Sequence, residues 1–193
     1  MTKFSLAIVL FLSTMPFSQL AKPTSIQSID FETLIDQSEF IFDGAVTKVE
    51  PRWNDDNTVI HSYVSFRIAE VIKGQYEGEQ ITLRFAGGEI GDNKFVYQGM
   101  TYPAINEKGI YFVETLHKNL INPLVGWSQG HYLIDDNKMM TNLGEPVEDV
   151  QVSIKVSTGE LSHGAVAGAR LGQKKEHSMS VTSFKNKIRT IMD

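Results

Sequence analysis

The chain has 193 residues, no cysteine and a formal net charge of −5. The missing cysteines exclude a disulfide framework, thiol catalysis and cysteine-ligated zinc, and an acidic chain whose bases are dispersed disfavours nucleic acid as a partner. The apolar share of 41 % is ordinary for a globular protein, and the length predicts a single domain.

The first 21 residues are predicted to be a secretory signal peptide. Lys3 precedes an apolar run from Phe4 to Phe17, and the segment from Ser18 to Ala21 supplies the cleavage region. Gln19 is larger than the small residue usual at its position, so cleavage is expected within a few residues of Ala21. A membrane anchor is the alternative, but the run is shorter than the roughly 20 apolar residues that span a bilayer. We therefore expect an exported protein, periplasmic or secreted, with no membrane span after cleavage.

An N-terminal helix is predicted from Ser28 to Gln37. Ile29, Leu34 and Ile35 can share one apolar face, and Asp30 near the start suits the positive end of the helix dipole. This helix should lead directly into the first strand.

Two long β-strands are predicted from Phe40 to Val49 and from Ile60 to Ile72, because apolar and polar residues alternate along both. A polar turn at Trp53 to Asn57 joins them as a hairpin. The alternation changes phase near Glu70, which predicts a β-bulge, and Gly44 predicts a bend of the kind found where a small barrel curls. A third strand follows with three inward-facing apolar residues, Ile81, Leu83 and Phe85.

A long irregular segment runs from Ala86 to Asn106, in which a short strand can form from Lys94 to Gln98. A segment of that length in a compact domain is usually functional or mobile. Its aromatic residues make it a candidate surface for a partner, together with two tryptophans elsewhere. The candidate partner-binding residues are Phe95, Tyr97, Tyr102, Trp53 and Trp127.

Further strands are predicted in the second half of the chain. The stretch from Gly109 to Leu116 is apolar on both faces, as for a strand covered on each side. The segments Pro123 to Trp127 and Gly130 to Ile134 are expected to pair, and a turn at Asp135 to Asn137 leads into Lys138 to Thr141.

The chain closes with a predicted loop or linker at residues 158–179, rich in Gly, Ala and Ser, and a helix over residues 180–193 that docks on the barrel. The expected apolar face consists of Val181, Phe184, Ile188, Ile191 and Met192. The expected polar face carries Lys185, Lys187 and Arg189.

One motif invites a catalytic interpretation. Gly126 to Gly130 matches G-x-S-x-G around Ser128, and Asp149 followed by His163 or His177 gives the chain order of an α/β-hydrolase triad. That motif requires a strand, a sharp elbow and a helix, whereas a strand-like stretch follows Ser128. A turn between two strands is therefore favoured over a serine hydrolase.

No metal or cofactor site is predicted. The acidic turns Asp55-Asp56-Asn57 and Asp135-Asp136-Asn137 offer oxygen ligands for Ca²⁺, but neither has the spacing of an EF-hand loop, so hairpin turns are favoured. No zinc-binding histidine pair occurs. His61 is interpreted as an outward-facing strand residue, and the glycines from Gly87 to Gly91 lack the Lys-Ser/Thr of a phosphate-binding loop.

The segments Ser38 to Val49 and Tyr63 to Gly74 resemble a widespread set of exported bacterial proteins of unknown function. They are also similar to the first strands of the netrin-like module, the OB-type barrel of the tissue inhibitors of metalloproteinases. Asn122 to His131 resembles another hallmark of the bacterial set. Asn106 stands where that set suggests a Gly-Glu turn, and Asn tolerates the left-handed conformation that such a turn needs.

The resemblance implies a mainly β fold: a small antiparallel OB-like (netrin-like) barrel with an N-terminal and a C-terminal helix, its barrel domain covering residues 22–157. The resemblance implies that an N-terminal cysteine of the metalloproteinase inhibitors binds the catalytic zinc of the protease. This chain has no cysteine, so we do not expect it to inhibit a protease through such a contact with zinc.

The sequence predicts an exported, non-catalytic binding module that engages a protein or peptide partner in the cell envelope or outside the cell. Two alternatives stay open: an inhibitor or accessory protein of a secreted metalloprotease, and a serine hydrolase that uses Ser128.

Overall fold

A computed structural model describes residues 29–148 and 178–193 of the chain. The predicted signal peptide and nearly all of the predicted linker lie outside the described residues. Within these residues, the helices and strands in chain order are α1 Phe31–Gln37, β1 Phe40–Trp53, β2 Ile60–Lys73, β3 Gln80–Ala86, β4 Gly88–Ile90, β5 Asn93–Phe95, β6 Lys108–Val113, β7 His131–Asp135, β8 Lys138–Thr141 and α2 Val181–Met192. A short 3₁₀ helix, Trp127–Gly130, precedes β7.

Six strands form one antiparallel sheet in the order β3-β2-β1-β6-β7-β8, and β4 pairs with β5 as a separate hairpin. The prediction of a mainly β, antiparallel fold with a helix towards each end is confirmed. The sheet is not a closed barrel, because no strand pairing joins β3 to β8 in the described part of the chain. The predicted closure into an OB-like barrel is therefore not confirmed.

Bulges bend the long β1–β2 hairpin. The register pairs Phe42 with Val71 and Gly44 with Ile68, which leaves Ala69 without an opposite residue on β1. The bulge predicted near Glu70 is thus confirmed, and it increases the local twist. Gly44 lies in the bend, where a Cβ atom would come within 2.8 Å of the Arg67 carbonyl oxygen.

The sheet separates two apolar cores. The inner core, on the face away from the helices, contains Phe40, Phe42, Val46, Val64, Phe66, Ile81, Leu83, Phe85, Tyr111, Val113 and Leu124. The helical core lies between the other face and the two helices, and its sheet residues include Ile41, Ile72, Ile110 and Phe112. Because successive residues of a strand point to opposite faces, β1 from Phe40 to Phe42 and β6 from Gly109 to Val113 are buried on both sides, as predicted for the strand after Gly109.

Both helices begin at a side-chain cap and pack through one face. Asp30 caps α1 and Ser180 caps α2, each accepting a hydrogen bond from the backbone N–H three residues on. Val181, Phe184 and Ile188 of α2 are buried as predicted. Met192 is 39 % exposed, so its assignment to the buried face was wrong.

Lys185 of α2 also differs from the prediction, because it faces the sheet rather than solvent. Its ammonium group donates to Asp43 of β1 and, at 2.8 Å, to Glu70 of β2. Arg189, one turn later, pairs with Glu70 as well. These ion pairs fix α2 across the first two strands. None of the helices in the described ranges is long and apolar enough to cross a membrane.

Candidate functional site

Four of the five predicted partner-binding aromatics lie at one end of the sheet. Trp53, the last residue of β1, meets Phe95, the last residue of β5, edge to face at a centroid distance of 5.9 Å and an interplanar angle of 84°. Tyr97 lies close behind, since a Cβ atom on Gly87 would be 3.2 Å from its ring. Tyr102 donates from its hydroxyl to the Ala86 carbonyl at 2.6 Å. The structure thus gathers these rings around the β4–β5 hairpin.

Glycines hold this hairpin against the first two strands. A Cβ atom at Gly88, whose φ is +144°, would lie 2.6 Å from Ser62 Oγ and 3.1 Å from Ile60 Cγ2, so no side chain fits there. The Ser62 hydroxyl donates to the Gly87 carbonyl at 2.9 Å. The hairpin is therefore fixed in position over the end of the inner core rather than projecting from it.

The aromatic residues differ in what they offer to a partner. Tyr102 packs against the inner core, and burial raises the pKa of its hydroxyl, so it anchors the segment. Trp53, Phe95 and Tyr97 are half-buried, while Val96 between the last two is 65 % exposed. We call Trp53, Phe95, Val96 and Tyr97 the hairpin surface.

Trp127 is not part of the hairpin surface. It begins the 3₁₀ helix before β7 with a φ of +59°, and no ring contact links it to the other candidate aromatics in the described ranges. Its neighbour Gly126 lies against Ile29, at the entrance to α1. Trp127 therefore lies apart from the hairpin surface, and its predicted role in binding a partner stays a prediction.

Sequence reasoning missed a buried polar cluster of Glu107, Tyr111 and His131. The Nε2 atom of His131 is 2.6 Å from a Glu107 carboxylate oxygen, to which the Tyr111 hydroxyl also donates at 3.3 Å. The imidazole ring stacks on Tyr111 at 5.1 Å and exposes only 1 % of its side chain. The only sequence signals are a carboxylate just before an apolar strand and a histidine at the start of another.

The cluster fixes the turn before β6. Asn106 has a φ of +68°, the left-handed conformation that the sequence predicted. Glu107 then accepts from the Ala104 backbone N–H at 3.3 Å through its second oxygen. Burial raises the pKa of Tyr111, and the Glu107 charge adds to that shift. The Tyr111 hydroxyl therefore stays protonated and acts as a donor.

The G-x-S-x-G segment does not form the elbow of an α/β-hydrolase. Leu124 makes an isolated bridge to Val113, Trp127–Gly130 form the 3₁₀ helix, and β7 follows at once. The predicted pairing of Pro123 to Trp127 with Gly130 to Ile134 is wrong, since β7 pairs with β6 and β8 instead. Asp149, His163 and His177 lie outside the described residues.

The acidic turns are parts of hairpin connections. Asp136 and Asn137 form the two-residue β7–β8 turn with φ values of +47° and +61°, as a type I′ turn requires. In the β1–β2 loop, the Asn54 side chain accepts from the backbone N–H groups of Thr58 and Val59. Within the described ranges, no group of three or more His, Asp or Glu side chains is placed to hold a metal ion.

No protein-family model, curated protein or solved structure matches the chain. The resemblance to the exported bacterial proteins and to the netrin-like module therefore stays a prediction. The hairpin surface is the candidate site that the geometry provides.

Proposed function

We propose that the protein is an exported, non-catalytic binding module that engages a protein or peptide partner through the hairpin surface. The observation that carries this proposal is the edge-to-face pair of Trp53 and Phe95, followed in the chain by Val96, which is 65 % exposed. Aromatic side chains flanked by exposed apolar area are enriched where protein partners bind most strongly.

The hairpin surface is preorganised for such a contact. Gly87 and Gly88 hold the hairpin against Ser62, so a partner does not need to order a free loop, and less conformational entropy is lost on binding. Burying one large apolar side chain contributes about 1.5–3 kcal/mol. A partner that covers Val96 and the exposed edges of the two rings would gain enough for specific, reversible binding.

Two features support a role without catalysis. Ser128 lies in a 3₁₀ helix that enters a strand, where the strand-elbow-helix geometry of a hydrolase nucleophile is missing. His131, the nearest histidine in the chain, is turned into the Glu107 contact and covered by Tyr111. A general base needs a ring that substrate can reach.

An OB-type barrel remains our proposal for the finer fold of the inner half. The segment that follows β6 returns along it, since the Glu114 N–H donates to the Pro123 carbonyl at 2.9 Å. The same segment reaches β3, where the Ala86 N–H donates to the Ile121 carbonyl at 2.8 Å. These bonds bring the two sides of the inner core together, and slow amide exchange at Ala86 would support the proposal.

Site-specific photo-cross-linking tests the proposed function. A photoreactive phenylalanine analogue replaces Val96 in one protein and Leu143 in a control, because these side chains are 65 % and 67 % exposed. Each protein is irradiated in envelope extract and in the extracellular fraction. We expect a discrete adduct from position 96 that is absent from position 143.

A second variant tests whether the adduct depends on the hairpin surface. Trp53→Ala in the position-96 protein should abolish the adduct while the far-ultraviolet circular dichroism stays unchanged. No adduct from position 96, or the same adducts from both positions, would overturn the proposal.

A further inference from the structure

Part of the sheet face on the side of the helices is left uncovered by them. The helices pack on this face around Ile41, Ile72 and Ile110, near one end of β1 and β2. The same face of the sheet continues along β1 after Asp43. There, the strand register places side chains of β6, β1, β2 and β3 beside one another in rows that run across the strands. The rows are Lys108, Ala45, Arg67 and Gln80; Lys48, Ser65 and Thr82; Glu50, Tyr63 and Arg84; and Arg52 with His61.

This surface, which we call the basic face, is strongly positive in a chain whose formal net charge is −5. Its rows carry five cationic side chains, Lys48, Arg52, Arg67, Arg84 and Lys108, and one carboxylate, Glu50. Glu50 is already held by Arg52 at 2.7 Å and Lys48 at 2.6 Å. These hydrogen bonds lower the pKa of Glu50 to about 2, so Glu50 stays charged. It pairs with Lys48 and Arg52 and does not compensate the other three cations, Arg67, Arg84 and Lys108.

Arg84 is positioned by neutral groups rather than by an acid. Arg84 contacts His61 Nε2 at 2.9 Å and donates to the Leu120 carbonyl at 3.3 Å. Arg67 and Lys108 are exposed, and no carboxylate in the described ranges pairs with either. Arginine binds carboxylates with two parallel hydrogen bonds, and Ser65 and Thr82 between the cations add hydroxyl groups.

The chemistry of the basic face selects among anionic partners. The Tyr63 ring is covered by the Arg52 guanidinium at 4.8 Å from the ring centroid, and the His61 ring is held by Arg84 at 2.9 Å, so neither offers a free platform for stacking bases. None of the exposed large apolar side chains, Val96, Ile105, Ile121, Leu143 and Met192, belongs to its rows. Membrane-surface binding normally needs such side chains to insert.

We propose that the basic face is the docking surface for an acidic segment of a protein partner, rich in Asp and Glu. The argument is charge complementarity: a carboxylate-rich segment laid across the first row meets Lys108 and Arg67, which lie two strands apart, about 9.6 Å. The basic face lies on the opposite side of β1 from Trp53, so this inference does not depend on the hairpin surface.

The test uses a fluorescein-labelled decaglutamate peptide and fluorescence anisotropy at about 0.15 M salt, where diffuse attraction is screened. Lys48→Gln, Arg67→Gln and Lys108→Gln are combined in one variant. The control combines Lys94→Gln, Lys118→Gln and Lys187→Gln, which removes the same charge elsewhere. We expect the first variant to weaken binding at least about tenfold, and the control to change it less than about twofold.

Two competitors complete the design. Decathymidylate and vesicles containing one-third phosphatidylserine should bind more weakly than the peptide. Equal weakening by both variants, no binding of the peptide to the unmodified protein, or tighter binding of either competitor would overturn the proposal. Matching thermal unfolding curves of the three proteins show that the substitutions leave the fold intact.

Discussion

The side chain of His61 makes the stability of the sheet depend on pH. Arginine can only donate a hydrogen bond, so in the 2.9 Å contact with Arg84 the His61 Nε2 atom must accept. Burial lowers the pKa of His61, and the Arg84 charge lowers it further. Protonation would replace this hydrogen bond by repulsion between two cations.

We therefore predict that acid weakens the fold through His61. A histidine whose folded pKa is depressed stabilises the protein fully above its unfolded pKa, near 6.5, and this contribution is lost as the pH falls through the lower folded value. Urea unfolding between pH 7.5 and 5 should show a fall in the free energy of unfolding that is smaller in His61→Gln. Identical pH dependence in the two proteins would contradict the assignment.

The second prediction for a single side chain concerns Glu107. Glu107→Ala leaves the His131 Nε2 atom and the Tyr111 hydroxyl buried without their acceptor. Leaving buried polar groups unsatisfied costs about 1–3 kcal/mol, so the free energy of unfolding should fall by that amount. The exposed Glu114→Ala is the control, with an expected change within about 0.5 kcal/mol. Equal effects of the two substitutions would show that the cluster adds no stability.

At the scale of elements, α2 is held both by packing and by charge. Phe184 is fully buried and contacts the rings of Phe31, Phe112 and Tyr132 at centroid distances of 5.2, 6.4 and 4.9 Å. Lys185 and Arg189 add ion pairs to β1 and β2. Packing should dominate, because the partly exposed pairs made by Glu70 contribute at most about 1 kcal/mol each, and desolvation offsets much of the attraction in the more buried Lys185–Asp43 pair.

Phe184→Ala should accordingly lower the free energy of unfolding by about 3–5 kcal/mol, since it leaves a cavity among three aromatic rings. Met192→Ala, in the same helix but 39 % exposed, should change it by less than about 1 kcal/mol. Chemical denaturation of both variants measures the difference. A loss below about 1 kcal/mol for Phe184→Ala would mean that α2 does not dock as described.

Local patterns predicted the elements far better than the contacts between them. Alternation along Val64 and Phe66, the phase change near Glu70 and the helix start near Ser180 are each visible within a few neighbouring residues. The contact of Lys185 with Asp43 joins positions 142 apart, and that of His131 with Glu107 joins positions 24 apart. Such pairs depend on strand order, which a single sequence does not encode locally.

At the scale of the whole molecule, one sheet with a core on each face separates two surfaces of different character. The hairpin surface is aromatic and apolar and lies over the end of the inner core. The basic face lies on the other side of β1, beyond the helices. The sequence predicted the aromatic residues of the first surface but not its hairpin. It gave no sign of the second, because its cations come from four strands.

The most direct test of the proposed binding function is hydrogen–deuterium exchange of the protein before and after it binds the partner captured through position 96. The account predicts slower exchange in residues 88–97, where a docked partner would cover the hairpin, and unchanged exchange in residues 131–141 on β7 and β8. Unchanged exchange in residues 88–97 together with protection of β7 and β8 would contradict it.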